Sequence, residues 1–239
     1  MRSRALRLAA VAAFVPVVVV MASGHTLEAQ ARGKAALLNP EEAKEQAPPV
    51  FKVNFDTSAG PFEVEVHREW APNGADRFYN LVKRGFYDGN RFYRVTNLVA
   101  NFGVHGDPEV AKAWLGKNIP DDPPRTLGPS AGPDALNPKG RTAQSNKKGF
   151  LAFTQSGANR RSTQVIIHLD DNSTFDSQMT PFGQILSGAT VVTKLYAGYG
   201  ESAPTGKGPM LTPLYADGNA YLEKDFPRLD YIKTATLAQ

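Results

Sequence analysis

The chain has 239 residues, of which 41% are hydrophobic and 21% are charged, and this composition is typical of a globular protein with one main domain. Its formal net charge of +4 is too small and too scattered to favour a nucleic-acid partner. The chain has no cysteine, which excludes disulfides, a thiolate nucleophile and cysteine-bound metal sites.

Residues 1–31 have the pattern of a secretory signal. Three arginines precede an apolar run from Leu8 to Ala22, and residues 29–31 offer a small-x-small cleavage site. This pattern predicts export, with a periplasmic or extracellular location after cleavage. An uncleaved membrane anchor is the alternative, since residues 5–22 are just long enough to span a bilayer. Residues 32–49 are polar and end in two prolines, so we expect a flexible linker.

The predicted domain comprises residues 50–239 and begins with a β-hairpin. Apolar and polar residues alternate over residues 51–55 and again over residues 62–66, and a turn containing Gly and Ser separates the two runs. A helix is predicted that starts at Pro72 and Asn73 and ends at Gly85, because apolar side chains recur at helical spacing over residues 75–82. Residues 90–106 then indicate two short strands with a kink between them.

The second half of the domain is organised around residues 149–169. Two apolar runs, FLAFT and QVIIHL, flank the polar segment SGANRRST and predict two buried strands joined by an ordered loop. Before them, residues 107–148 are rich in Pro and Gly and predict a long irregular loop. After them we expect a short strand at 182–186, a second helix at 189–196, a Gly- and Pro-containing loop, and a closing strand at 228–237.

These elements amount to eight strands and two helices, without internal repeats or heptads. An antiparallel sheet of this size leaves exposed edges unless it closes on itself. We therefore predict a mostly β fold, a closed eight-stranded antiparallel barrel capped by two α-helices.

Three separated motifs then point to a family. Residues 92–95 read FYRV, residues 102–108 read FGVHGDP, and residues 149–167 read GFLAFTQSGANRRSTQVII. In this order they resemble the cyclophilins, a family of peptidyl-prolyl cis–trans isomerases. The resemblance extends from about Val50 to Asp230, and the stretches GFYDG, LDYI and YAGYGESAP are similar to bacterial exported members.

The resemblance implies an isomerase that needs no metal or cofactor, acts on proline-containing polypeptides, binds no nucleic acid and is expected to be monomeric. Arg94 would be the catalytic residue, because a fixed guanidinium can donate to the prolyl nitrogen only once the amide has twisted. The resemblance also implies roles for other residues of this chain. The proline pocket would be lined by Leu98, Val99, Ile166, Phe175 and Met179. Asn101 and Gln164 would lie in the groove, and Thr154 and Gln155 would offer backbone contacts to the peptide.

The chain departs from the family pattern at several of these positions. The stretch that follows Arg94 is one residue shorter than usual, and Asn101 stands where a Gln is usual. Leu98 and Ile166 replace typical phenylalanines, and Met179 stands where many members have His. These differences imply a smaller and less aromatic pocket. They also imply that the side chain of Asn101 extends less far into the groove than that of the usual Gln.

Other interpretations stay open from the sequence. A cyclophilin-fold binding module or chaperone with little turnover would carry the same motifs. An arginine on an arbitrary strand is more often a surface ion-pair partner, and the apolar residues could equally be plain core. Residues 128–132 match G-x-S-x-G, with Ser130 as nucleophile and His168 as base, but they lie in a Pro-rich loop rather than between a strand and a helix. Residues 200–208 are predicted to be a plain loop rather than a phosphate loop, and the four histidines lack ligand spacing.

Overall fold

Eight strands form one sheet in the computed structural model of the protein, which describes residues 33–122 and 144–238. The strands are β1 (Val50–Thr57), β2 (Gly60–His67), β3 (Arg94–Val95), β4 (Val99–Phe102), β5 (Phe150–Phe153), β6 (Val165–His168), β7 (Pro181–Ser187) and β8 (Ile232–Leu237). Within the described residues five α-helices follow β2, namely α1 (Pro72–Lys83), α2 (Pro108–Trp114), α3 (Ala189–Val192), α4 (Leu211–Asp217) and α5 (Asn219–Asp225). The prediction of eight strands is confirmed, and the prediction of two helices is wrong.

The sheet is an open half-barrel with the strand order β3-β4-β6-β5-β7-β2-β1-β8. The prediction of a closed barrel is therefore wrong. The reason lies at the two ends of the sheet, because β3 is only two residues long and offers β8 too little edge for a ladder. β3 and β8 form no ladder with each other, and the chain just before β3 meets the start of β8 through a bridge between Arg91 and Tyr231. Backbone hydrogen bonds flank this bridge, from Gly89 to Ile232 and from Ile232 to Asn90, both over 2.8 Å, and from Phe92 to Asp230 over 2.9 Å.

The hairpin of β1 and β2 buries one face, as its alternating pattern predicted. Every second residue of β1 is buried, and Phe55 stacks on Phe62 of β2 with ring centroids 4.6 Å apart. On the same side, the ring of Phe55 lies 6.4 Å from that of Phe78 in α1. The main core therefore lies between the sheet and α1, and α1 covers the hairpin.

The N-terminus of α1 is capped by a carboxylate from a distant part of the chain. Asp122 accepts hydrogen bonds from the backbone N–H groups of Asn73 and Gly74, both over 2.8 Å. An anion at this position satisfies helix N–H groups that have no partner within the helix. The same carboxylate pairs with Arg161 over 3.0 Å, so α1 is tied to the loop that follows β5.

Residues 33–49, the N-terminal segment, pack against the rest of the domain, although a flexible linker was predicted for residues 32–49. Leu37 belongs to the main core, and its carbonyl accepts a hydrogen bond from the indole N–H of Trp114 over 2.7 Å. Ala47 is also buried, and its backbone N–H donates to Asp76 over 2.8 Å. The segment is polar in composition, yet two apolar side chains and these backbone bonds suffice to anchor it.

Residues 196–226, the C-terminal segment, were predicted mainly as a loop and contain α4 and α5. Pro213 stands in the first turn of α4, where a missing N–H removes no helix hydrogen bond. Leu214 and Leu222, one from each helix, are buried together with Tyr93 and Val104 in a small cluster apart from the main core. The segment is therefore packed and ordered.

Two of the sequence predictions lie outside the described residues. They are the signal or anchor of residues 1–31 and the G-x-S-x-G match of residues 128–132, which includes Ser130. Within residues 33–122 and 144–238, no helix has both the length and the apolar character needed to cross a membrane.

Candidate functional site

A second apolar cluster lies on the face of the sheet opposite the main core. Side chains alternate between the two faces along β4 and β6, so Ala100 and Ile167 belong to the main core whereas Val99 and Ile166 do not. The outer cluster, as we name it, consists of Val99, Ala152, Ile166 and Met179, with Phe175 packed against it. Four of these five are predicted pocket residues, and the structure brings them together. The sequence did not predict Ala152 as a pocket residue, because a small side chain such as alanine fits any buried strand.

The strand register places Arg94, Asn101 and Ile166 in one row across β3, β4 and β6. Arg94 is paired with Asn101, and Asn101 is paired with Ile166. Residues paired in this way point to the same face of a sheet. The row therefore brings the guanidinium, the amide and the outer cluster together, although the three residues span 94 to 166 in the sequence.

Three hydrogen bonds hold the Arg94 side chain. Its Nη1 donates to Oδ1 of Asn101 over 2.7 Å, so the shorter Asn side chain does reach the guanidinium. Its Nε and Nη2 donate to the two carboxylate oxygens of Glu201, each over 2.6 Å. A guanidinium has five N–H groups, and these bonds leave one on Nη1 and one on Nη2 for a further acceptor. The Arg94 side chain is 28% exposed, which makes it accessible to a ligand.

Gln164 lies two residues from Ile166 and on the same face, where two tyrosines hold its amide. The hydroxyl of Tyr93 donates to Oε1 of Gln164 over 2.6 Å, and Nε2 of Gln164 donates to the hydroxyl of Tyr215 over 3.1 Å. Burial raises the pKa of both tyrosines, so both remain neutral. Because its two polar ends are fixed, the amide has a defined orientation. The tyrosines were not among the predicted site residues.

A pocket of about 290 Å³ opens beside Arg94. Its lining includes the predicted residues Asn101, Thr154, Gln155 and Gln164. Ser202 and Leu211 of the C-terminal segment complete the opposite side. Most of the residues that line the pocket have polar side chains, and the pocket adjoins the outer cluster through the row of Arg94, Asn101 and Ile166.

Buried ion pairs fix the loop of residues 154–162, which forms one wall of this pocket. Arg161 is almost fully buried, and it donates to Asp121 over 3.2 Å and to Asp122 over 3.0 Å. The guanidinium of Arg161 also donates to the carbonyl of Pro120. Asp121 in turn accepts a hydrogen bond from the backbone of Asn159 in the loop over 2.7 Å. The wall is thereby held rigidly by residues that the sequence gave no reason to single out.

The turn that carries Phe175 and Met179 is fixed in a similar way. The carboxylate of Asp176 accepts from the hydroxyl of Ser145 over 2.6 Å and from the backbone N–H of Asn146 over 2.7 Å. The amide of Asn146 also donates to the carbonyl of Met179 over 2.9 Å. The apolar side chains of the outer cluster are therefore supported by a buried polar network beneath them.

His168 lies at the far end of β6 on the same face, paired in register with Val99. The side chain is fully buried, and its Nδ1 lies 3.2 Å from Nδ2 of Asn172. Burial lowers the pKa of His168 to about 4, so the imidazole is neutral at neutral pH. Across the described residues, no three His, Asp or Glu side chains come close enough together to hold a metal ion.

Three predicted residues have positions that limit their roles. Leu98 lies in the turn before β4, is 43% exposed and is not part of the outer cluster. The backbone N–H of Thr154 donates to the carbonyl of Gln164 over 3.0 Å, so this N–H is not available to a peptide. Gln155 lines the pocket, and its side-chain amide donates to Asp121 over 3.2 Å.

A further residue of the candidate site that the sequence did not predict is Glu201, the bidentate partner of Arg94. It comes from residues 200–208, which were predicted to be a plain loop. The available signal was a single acidic residue within a Gly-rich stretch, and that signal does not specify a partner 107 residues away.

Comparison with known proteins gives one consistent result. The family model described as "Cyclophilin type peptidyl-prolyl cis-trans isomerase/CLD" matches residues 52–212 of the chain. Among curated proteins, a peptidyl-prolyl cis-trans isomerase-like 1 from Rhizopus delemar is 29% identical over 144 residues, which are 60% of this chain and 79% of that protein. A protein of the same name from Aspergillus niger is 31% identical over 148 residues, which are 60% of this chain and 80% of that protein.

Similar solved structures carry the same family name. A cyclophilin from Hirschia baltica superposes with a TM-score of 0.54 at 16% identity, covering 80% of this chain and 75% of that chain. A cyclophilin-type peptidyl-prolyl cis-trans isomerase from Cryptosporidium parvum gives a TM-score of 0.53 at 14% identity, covering 80% and 98%. The latter was also crystallised in the presence of the dipeptide Ala-Pro. At these identities the likeness concerns the fold.

Proposed function

Because the chain belongs to the family of cyclophilin-type peptidyl-prolyl cis–trans isomerases, we propose that its isomerase site is the row of Arg94, Asn101 and Ile166 together with the pocket beside it. Arg94 is the catalytic residue in this proposal, and the outer cluster receives the proline ring. The observation that carries the proposal is a guanidinium held by three hydrogen bonds, with two N–H groups to spare, in the same row as an apolar cluster.

The chemistry follows from the electronic structure of the amide. Rotation about an X–Pro bond must overcome a barrier of about 18–20 kcal/mol, because resonance is lost as the bond twists. In the twisted state the prolyl nitrogen is pyramidal and regains a lone pair, which can accept a hydrogen bond. An N–H of Arg94 therefore binds the transition state better than either planar isomer. A charged hydrogen bond contributes about 1.5–3 kcal/mol, which corresponds to a rate increase of about ten- to a hundredfold.

The rest of the acceleration must come from binding one side of the rotating bond firmly. The outer cluster supplies an apolar surface for the proline ring, and its members are buried enough to stay fixed. The polar groups available to the preceding residue are the amide of Gln164, oriented by its two tyrosines, and the backbone at residues 154–155 other than the N–H of Thr154. The polar pocket beside Arg94 takes the part of the peptide next to the proline.

We propose that the substrates are extended X–Pro segments of proteins that fold after export, and that the protein acts as a monomer. The signal-like residues 1–31 support the first part, and the Ala-Pro dipeptide in the Cryptosporidium parvum crystals supports the X–Pro chemistry. Fractionation of cells that produce the full chain, with N-terminal sequencing of the exported protein, tests the location. A mature N-terminus after Ala31 is expected, and an intact N-terminus in the membrane fraction would favour the anchor instead.

The catalytic assignment is tested with Arg94→Ala in a protease-coupled assay on a proline-containing peptide. We expect kcat/KM to fall by about ten- to a hundredfold. The matched control is Lys233→Ala, which removes another basic residue from a surface ion pair with Asp56 and should leave the rate unchanged. Equal rates for the wild type and Arg94→Ala, with peptide binding intact, would favour the alternative of a binding module with little turnover.

A further inference from the structure

Glu201 and Arg94 form a two-point ion pair at the centre of the proposed site. The two carboxylate oxygens accept one hydrogen bond each from Nε and Nη2 of Arg94, both over 2.6 Å. A fork-to-fork pair of this kind fixes the plane of the guanidinium as well as its position. Asn101 alone holds only Nη1, and one bond would leave the guanidinium free to rotate about it.

The loop that carries Glu201 is built to hold this residue in place. Gly200 forms a bridge with Val95, the residue that follows Arg94 in β3, so the loop is attached directly beside the arginine. The carbonyl of Glu201 accepts a hydrogen bond from the N–H of Gly208 over 2.7 Å, which closes the loop on itself. A side chain at Gly206 would overlap that same carbonyl.

The pair leaves Arg94 able to act. Glu201 occupies the Nε and one Nη2 donor, and Asn101 occupies one Nη1 donor, so one N–H on each terminal nitrogen remains for an acceptor. The hydrogen bond from Arg94 also lowers the pKa of Glu201, which keeps its carboxylate ionised at neutral pH. The interaction therefore orders the catalytic group before a substrate arrives, and such preorganisation lowers the cost of reaching the transition state.

We propose that Glu201 is a positioning residue for the isomerase reaction, which fixes the guanidinium of Arg94 in the orientation that meets the twisted prolyl nitrogen. This inference rests on the proposed catalytic role of Arg94. It predicts that loss of Glu201 slows rotation of the bound peptide without weakening peptide binding. A clamp that withholds Arg94 from the substrate would have the opposite effect on the rate.

The experiment compares Glu201→Ala and Glu201→Gln in the full chain. Exchange NMR on a saturating Ala-Pro peptide gives the rate on the enzyme, and titration of the same peptide gives Kd. We expect Glu201→Ala to lower the bound rate by about tenfold while Kd changes by less than about twofold, since charged hydrogen bonds of this kind contribute that much. Glu201→Gln, which keeps one acceptor for the guanidinium, should recover part of the rate.

Glu223→Ala is the matched control, because Glu223 also pairs with an arginine over 2.9 Å, but its partner is Arg91, which is not a residue of the proposed site. It should leave both the bound rate and Kd unchanged. An unchanged or increased rate in Glu201→Ala would overturn the positioning role. If Arg94→Ala still loses activity in that case, the proposed catalytic site survives. If Arg94→Ala is fully active, the catalytic role of Arg94 and the positioning role of Glu201 are both wrong.

Discussion

The N-terminal and C-terminal segments both lie against the sheet, yet they do different things there. The N-terminal segment contacts α1 and α2 through Leu37, Ala47 and surface ion pairs, and none of these contacts involves a candidate site residue. The C-terminal segment supplies Glu201 to Arg94 and Tyr215 to Gln164. One segment therefore completes the core, and the other completes the site.

In this fold, core packing and site chemistry therefore depend on different segments of the chain. Changes in the N-terminal segment should alter the free energy of unfolding and leave catalysis by the folded protein unchanged. Changes in the C-terminal segment at the site should do the reverse.

The largest expected effect is on stability. Leu37→Ala removes a core side chain of the N-terminal segment and should lower the free energy of unfolding by about 2 kcal/mol, measured by urea denaturation. Lys34→Ala is the control within the same segment. Its ion pairs with Asp107 and Glu109 are exposed, so the urea midpoint should not change measurably. A parallel loss of kcat/KM in Leu37→Ala would contradict the separation.

The dependence of stability on pH tests His168, which lies on the same face of the sheet as the outer cluster and belongs to neither segment. The pKa of His168 is about 4 in the folded protein and near 6.5 when unfolded, so the unfolded chain binds a proton that the folded protein does not. Between these values the free energy of unfolding should fall by up to about 1.4 kcal/mol per pH unit as the pH decreases. Urea denaturation at pH 7 and pH 5 measures this loss. His168→Gln should lose distinctly less than the wild type, and an equal loss in both would show that His168 is not the cause.

The smallest expected effect concerns the C-terminal segment. Tyr215→Phe leaves Nε2 of Gln164 without its acceptor, so kcat/KM should fall by about fivefold, equivalent to about 1 kcal/mol. The urea midpoint should stay close to that of the wild type. Tyr231→Phe, which removes an exposed tyrosine hydroxyl elsewhere, serves as the control. A drop in stability with no drop in rate would place Tyr215 with the packing residues instead.

The strands and the order of the motifs could be predicted because their signals are local. The alternating pattern of β1 and β2 and the apolar runs of β5 and β6 indicate which residues are buried. The register of β4 with β6 then brings Val99 and Ile166 together on one face of the sheet. The shortened stretch after Arg94 is accommodated because Arg94 and Asn101 pair directly across two strands. Sequence spacing alone cannot show that the side chain of Asn101, which is shorter than that of Gln, still reaches the guanidinium of Arg94.

What could not be predicted depends on contacts between distant residues. Glu201 is one acidic residue in a Gly-rich stretch, and only the folded chain shows that its partner is Arg94. The N-terminal segment is polar in composition, so its sequence did not indicate that Leu37 anchors it in the main core. The closed barrel was inferred to protect strand edges, but β3 is only two residues long, and the sequence does not show that length.

The pairing of β1 with β8 has a consequence for how the protein is made. Val53 lies opposite Leu237, so the first strand of the sheet waits for the last one to be synthesised. Contacts this far apart in sequence form slowly. Until residues 232–237 leave the ribosome, β1 keeps one open edge and the domain cannot finish folding.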